Sequence, residues 1–314
     1  MDNLTHSLAG ALLGQMGLKT KTGLAMPTLI IAANLPDIDA VAVLLGGHQH
    51  LALRRGLTHG PIAMVLLPVL LWTAMLAWDK WRPSEKRLPV HKGWLLALAY
   101  IGTMSHPALD WLNSYGVRLL EPFSSRWFYG DSIFIVDIWI WAALIIGVWM
   151  SRRREKRDKA DWQRPAIFSF FALCSYIFAN GVITGQAESG ARNLVVARYD
   201  RTASMPEPTV VANPLPVAFW QRDIVWRDGT DYGFGNFSLG SGASLYGEVR
   251  PHNMAQAAPN RFVPSKGSDA AAYLFWSRMP VLEQTDKEAI IRDQRFMDPR
   301  IGDRFTLRIP EPKP

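Results

Sequence analysis

Four long, mostly apolar runs dominate the first 185 positions: PIAMVLLPVLLWTAMLAW (61–78), GWLLALAYIGTMSHPALDWL (93–112), IFIVDIWIWAALIIGVWM (133–150) and AIFSFFALCSYIFANGVIT (166–184). Each is close to the length of about 20 residues that a helix needs to cross hydrocarbon. Two shorter apolar stretches, 4–18 and 24–35, precede them. In lipid every backbone N–H and C=O must pair inside its own segment, so these runs predict a mainly α transmembrane helical bundle of about six membrane-embedded segments. The mean hydropathy of +0.02 averages this half with a polar remainder. The change of character near Gly185 predicts two domains, a membrane-embedded helical domain over 1–185 and a small β-rich extracytoplasmic domain over 186–314. The opening segment has no basic leader region and no small-residue cleavage site, so it is expected to be retained. The single cysteine, Cys174, excludes an intrachain disulfide and argues against a thiolate metal site.

A net charge of +7 raises the question of a polyanionic partner. The basic residues answer it by position: Lys80, Arg82, Lys86, Arg87 and Lys92 crowd one short loop, and Arg152, Arg153, Arg154, Lys156, Arg157, Lys159 and Arg164 another, whereas 114–132 holds only Arg118 and Arg126. Such asymmetry is what membrane orientation requires, and no nucleic-acid partner is expected. With both basic loops cytoplasmic, parity places the amino terminus and the tail on the far side, the periplasm of a Gram-negative cell.

This orientation, set by Lys and Arg alone, brings a second class of residue to one membrane face. His6, Asp37, Asp39, His59, His106, Asp110, Asp131 and Asp137 all fall near the outer ends of their segments. Together in a low-dielectric place, the carboxylates among them would cost several kcal/mol per uncompensated ion, by order of magnitude, and a cation removes that penalty. His6, Asp37, Asp39, His59, His106 and Asp110 are therefore the candidate metal ligands. In SHPALD, His106 and Asp110 stand one helical turn apart and face the same way. In LPDID, Pro36 favours an extended or turning backbone that turns Asp37 and Asp39 to one side, with Asn34 available to orient one of them. Arg55, one turn before His59 in RRGLTH, is either an interfacial residue or a two-pronged donor to phosphate or carboxylate. His48, His50, His91 and His252 read as residues outside the cluster. The expected cofactor is one or two divalent ions, zinc ahead of manganese or iron(II).

The segments DNLTHSLAGALLG, NLPDID, RRGLTHGP, SHPALDWLNSYGVRLLEPFSSRWFYGD and IVDIWIW resemble the family of membrane-bound, metal-dependent hydrolases typified by the inner-membrane protein YdjM, densely over about 1–150. The resemblance implies a multi-pass protein of the bacterial inner membrane with the ligand set just named, and it adds Asn113, Asp131 and Asp137 as motif residues. More distantly, the order His, Asp, His, His-x-x-x-Asp is similar to zinc-dependent phospholipases C, although a later His/Glu pair completing their metal set is missing and HNMAQ at 252 does not supply it. That likeness implies cleavage of a phosphoester in a lipid or lipid-linked substrate by metal-activated water, with Arg55 steadying developing negative charge and Asp39 or Asp131 relaying a proton. The alternatives are a divalent cation or proton transporter, or a non-catalytic membrane scaffold with a structural metal.

The tail reads as an antiparallel sheet, from strand-like NLVVARYD, IVWRDG, DYGFGNFSL, AAYLFW and RFTLRI separated by turn residues. The stretch 282–295 fits either a short helix or a strand pair turning at TDK.

Overall fold

Asp2 starts the first helix, α1 (Asn3–Gln15), by accepting the backbone N–H groups of Leu4 and Thr5. In this computed structural model, which describes residues 1–199, 206–254, 267–285, 288–297 and 305–310, α1 is followed by α2 (Ala25–Ala32), a 3₁₀ stretch Leu35–Leu45, α3 (Gln49–Leu53), α4 (Pro61–Trp81), α5 (Lys92–Trp111), α6 (Ile138–Glu155) and α7 (Arg164–Arg198). By length and composition α4 and α7 are apolar enough to cross a membrane. A third span results if α2 and Leu35–Leu45, bent by 41°, count as one. The other two predicted spans are helical, but α5 carries Ser105, His106 and Asp110 and α6 ends in Arg152–Glu155, which dilutes their apolar character.

The chain divides into two compact units, one of Met1–Asp39 with Arg55–Gly181 and one of Ala40–Arg54 with Val182–Pro314. In the first, two glycines set the helix spacing. A Cβ at Gly10 of α1 would lie 2.6 Å from the Leu29 carbonyl oxygen of α2, and one at Gly102 of α5 would lie 2.6 Å from Ala32 Cβ and 3.0 Å from the same carbonyl. Both helices thus touch one turn of α2 backbone to backbone, the approach that small residues allow inside membranes. Leu24, Leu71, Met75, Leu95 and Ala99 fill the space to one side, and Leu12, Ile133, Ile140, Leu144 and Leu173 the other.

The second unit contains a four-stranded antiparallel meander, β1 (Thr209–Pro214), β2 (Gln221–Asp228), β3 (Asp231–Ser238) and β4 (Gly242–Pro251), and a three-stranded sheet, β5 (Pro280–Gln284), β6 (Glu288–Asp293) and β7 (Thr306–Pro310), with α8 (Gly267–Trp276) between them in sequence. Two predicted strands are helical. Residues 193–198 continue α7, because Ala187, Ala191 and Val195 recur every four residues as one buried stripe against Val210, Ile224 and Trp226. AAYLFW belongs to α8, whose Tyr273 and Trp276 are buried three residues apart, with Trp276 stacked on Phe296 and Phe305. Neither short run distinguishes the two periods unaided. The stretch 282–295 resolves as the strand pair, Leu282 opposite Ile291, with Asp286 and Lys287 of the expected turn outside the described residues.

Asp293 ties this second sheet together. It is fully buried, accepts from the N–H groups of Arg278, Met279 and Arg295 and from Ser277 Oγ, and pairs with the Arg295 guanidinium at 2.9 Å. Burial pushes its carboxyl up, but the charge of Arg295 and these hydrogen bonds outweigh that and bring it down to about 2. A depressed carboxylate stabilises the fold above its ordinary value of 3.8 and stops doing so as pH falls through about 2. Asp293→Ala is expected to destabilise this unit by about 3–5 kcal/mol at neutral pH, because Arg295 stays buried without its partner. Thermal unfolding between pH 7 and 2, wild type against variant, checks this: the gap narrows with acid.

Candidate metal centre

The buried face of α5 changes character along its length, from Leu95, Leu98 and Ala99 through Gly102 and Thr103 to His106 and Asp110. The two closely approaching glycines determine what meets it. His6 lies one turn before Gly10 and His106 one turn after Gly102, and their rings stack with centroids 3.7 Å apart and planes 16° from parallel. Leu57–His59, a 3₁₀ turn ahead of α4, brings in His59 with its ring 5.0 Å from that of His106.

Asp110 is the hub. Its Oδ1 is 3.4 Å from His6 Nε2, and its Oδ2 is 3.5 Å from both His59 Nε2 and His106 Nε2. Asp37 Oδ1 is 3.7 Å from His106 Nε2. One ligand atom each from Asp37, His59, His106 and Asp110 falls within 4.8 Å of every other, and all four residues are buried. The Nε2 atoms of His6, His59 and His106 have no hydrogen-bond partner. Separations near 3.5 Å are too long for hydrogen bonds but close to the edge of about 3.3 Å expected between donors 2.0–2.1 Å from a tetrahedral zinc. The donor set, two imidazoles and two carboxylates with a third imidazole alongside, fits zinc or another borderline divalent ion.

The far side of each ring is fixed. His106 Nδ1 is 2.7 Å from the Ala33 carbonyl oxygen, so it carries the proton and turns the Nε2 lone pair to the cluster. His59 Nδ1 is 3.0 Å from Thr58 Oγ1 and 3.5 Å from Asp39 Oδ2. Burial pushes the His59 imidazole down to about 4 despite the opposing pull of the nearby Asp39 carboxylate, which keeps it neutral and able to ligate at physiological pH. Asp39 is itself held by the Arg55 N–H and by Thr58 Oγ1, both at 2.7 Å. Asp39→Asn is expected to weaken metal affinity about 10–100-fold while the protein stays folded, as measured by competition against a chromogenic chelator.

Arg55 brackets the hub. Its Nε is 3.0 Å from Asp110 Oδ2, its Nη2 donates to Oδ1 at 3.1 Å, and its Nη1 donates to Asn113 Oδ1 at 3.1 Å. The guanidinium lies over the Tyr115 ring at 4.7 Å, and its backbone has φ 54°. The Met1 amino group also contacts Asp110. Asn113 accepts the Tyr115 N–H as well.

Of the six proposed ligands, the structure gathers Asp37, His59, His106 and Asp110 around one point, sets His6 against Asp110 and His106, and puts Asp39 behind His59. Asp131 is buried with φ 47°, in a loop whose Ser132 and Ile133 N–H groups both donate to the Leu112 carbonyl at the end of α5. Asp137 caps α6 through Trp139 and Ile140 and accepts from the Tyr176 hydroxyl at 3.0 Å. The Asn34 amide turns to Ser7 and the Ile30 carbonyl instead of an aspartate. The other four of the seven histidines are placed elsewhere: His48 and His50 by α3, His91 at the cap of α5, and His252 beside Gly229. Sequence reasoning missed Thr58, whose adjacency to His59 was its only signal, and Tyr115. Asp37, itself buried, is one of the residues that line an open groove of about 410 Å³, with Asn3, Ile31, Asn34 and Ile38 among the others.

The sequence profile of the family described as YdjM inner membrane protein matches residues 1–187, which include every residue of this cluster. Comparison with curated proteins and with solved structures finds no match.

Proposed function

The chain belongs to the YdjM inner membrane protein family, and from that premise we propose that it is a metal-dependent hydrolase of the membrane, cleaving a phosphoester of a lipid or lipid-linked substrate at the periplasmic face. The observation that carries this reading is the set of three buried, partnerless imidazole nitrogens aimed at the Asp110 carboxylate, with a second carboxylate, Asp37, on the wall of an open groove. A divalent ion held by Asp37, His59, His106 and Asp110 would supply Lewis acidity and bring the pKa of water within reach of neutral pH.

The remaining roles belong to the chain. Arg55 holds Asp110 through its Nε and Nη2 and adds positive potential where negative charge would build on a phosphoryl oxygen. Asp39 stands behind the His59 ring and is the better placed of the two relay candidates; Asp131, in the loop that hydrogen-bonds to the Leu112 carbonyl after α5, is the other. Ile31 and Ile38, 43% and 60% exposed on the groove beside Asp37, suit an acyl chain lying next to the scissile headgroup. In this reading the amino terminus and the tail lie outside the cytoplasm, following the basic loops 80–92 and 151–164.

Four protein ligands also suffice for a closed tetrahedral site, which favours a structural ion as the second reading. Purified protein assayed for bound metal and for turnover of phosphodiester and phosphomonoester lipids, with Asp110→Ala as control, separates the two. Hydrolysis predicts metal-dependent turnover lost in the variant; tightly held metal with no turnover of any ester leaves the structural ion.

A further inference from the structure

We infer that the groove along α6 binds the headgroup of an anionic phospholipid, at a site separate from the metal centre and independent of whether the protein is a hydrolase. The groove has a volume of about 650 Å³. Leu8 of α1 and Ile145, Val148 and Trp149 of α6 line one part of it. Arg152, Arg153, Lys156 and Arg157 line the rest. The α6 positions recur every three to four residues, so one helix face runs from apolar to cationic along its axis and continues through the cap at Lys156. From Ile145 to Arg157 is about 18 Å at 1.5 Å per residue, within the roughly 20–22 Å that one lipid leaflet spans from its midplane through its headgroups.

Among the described residues these four charges have no carboxylate counterion. Glu155 pairs with Lys19, and Asp161 pairs with Arg154 and Arg164. None of Arg152, Arg153, Lys156 and Arg157 has a carboxylate partner among the described residues, and Arg153 lies over the Trp149 ring at 5.3 Å. The positive-inside preference and the helix dipole both explain basic residues at this end of α6. Neither explains why four of them, with no carboxylate partner among the described residues, share one groove with a tryptophan and three aliphatic side chains. A phosphate with its chains on Ile145 and Trp149 accounts for both halves.

The test uses the full chain in neutral detergent, with dioleoyl phosphatidylglycerol and dioleoyl phosphatidylcholine as probes and native mass spectrometry plus thermal unfolding as readouts. The fourfold variant Arg152→Gln, Arg153→Gln, Lys156→Gln and Arg157→Gln is compared with Lys80→Gln, Arg82→Gln, Lys86→Gln and Lys92→Gln, which removes equal charge from the other basic loop. Retained phosphatidylglycerol is expected to drop at least about fivefold in the first and little in the second, with the thermal stabilisation by that lipid disappearing in parallel. Where the fourfold variant does not fold, the pair Arg153→Gln and Lys156→Gln is read in the same way. Equal losses in the two loops, no preference over phosphatidylcholine, or displacement of the lipid by millimolar inorganic phosphate would each overturn the proposal.

Discussion

Asp110→Ala is expected to lower bound metal from about one ion per chain to near background and to destabilise the helical unit by about 3–5 kcal/mol. The two effects share one cause. Asp110 offers an oxygen to the cluster and is also what Arg55 closes on, at 3.0 and 3.1 Å from a position almost wholly removed from solvent. Deleting it leaves a guanidinium buried against Tyr115 and Asn113 with its main counterion gone. Asp110→Asn separates the contributions: it keeps the shape and part of the hydrogen bonding, so stability is expected to recover by more than half while metal stays low. Metal analysis and thermal unfolding of both variants check this, and a site unaffected by either change would refute the hub.

The second large effect is expected at a residue that ligates nothing. Gly102→Leu puts a side chain where even a Cβ would come within 2.6 Å of Ala32 Cβ and 3.0 Å of the Leu29 carbonyl oxygen. Relieving that overlap moves α5 away from α2 at an overpacking cost of about 1–3 kcal/mol. His106, one turn further along, moves with it and leaves both the Ala33 carbonyl and the His6 ring. Metal occupancy is expected to fall at least about tenfold with every ligand still present. Gly181→Leu is the control, since nothing lies within 4 Å of a Cβ there. Equal metal contents in the two variants would show that helix spacing does not set the site.

Much of this was legible in the chain because the signals were local or categorical. The i, i+4 spacing of His106 and Asp110 survives as one buried face of α5, and the apolar runs survive as helices. His6, Asp37, His59 and Asp110 are placed at one membrane face by the orientation that the basic loops set, because each lies near the outer end of its segment, and the structure has them close together. What stayed hidden depends on contacts between segments. Asp37 and Asp39 are equivalent on paper, and only the turn through Thr58 and the Arg55 N–H sends Asp39 behind His59. Gly10 and Gly102 look like ordinary membrane-helix glycines until both are found against Leu29. In the tail, NLVVAR and AAYLFW carry strand-forming residues, yet the α7 stripe and the Trp276 stack make helix the better burial.

The most direct measurement is the metal content and ligand environment of the purified, membrane-extracted chain, by elemental analysis and X-ray absorption at the edge of the metal found. A single divalent ion with mixed imidazole nitrogen and carboxylate oxygen neighbours, lost in Asp110→Ala and in His106→Ala, is the predicted result. A folded chain that neither carries nor takes up a divalent ion at micromolar concentration, or one whose ion survives both substitutions, would contradict the account.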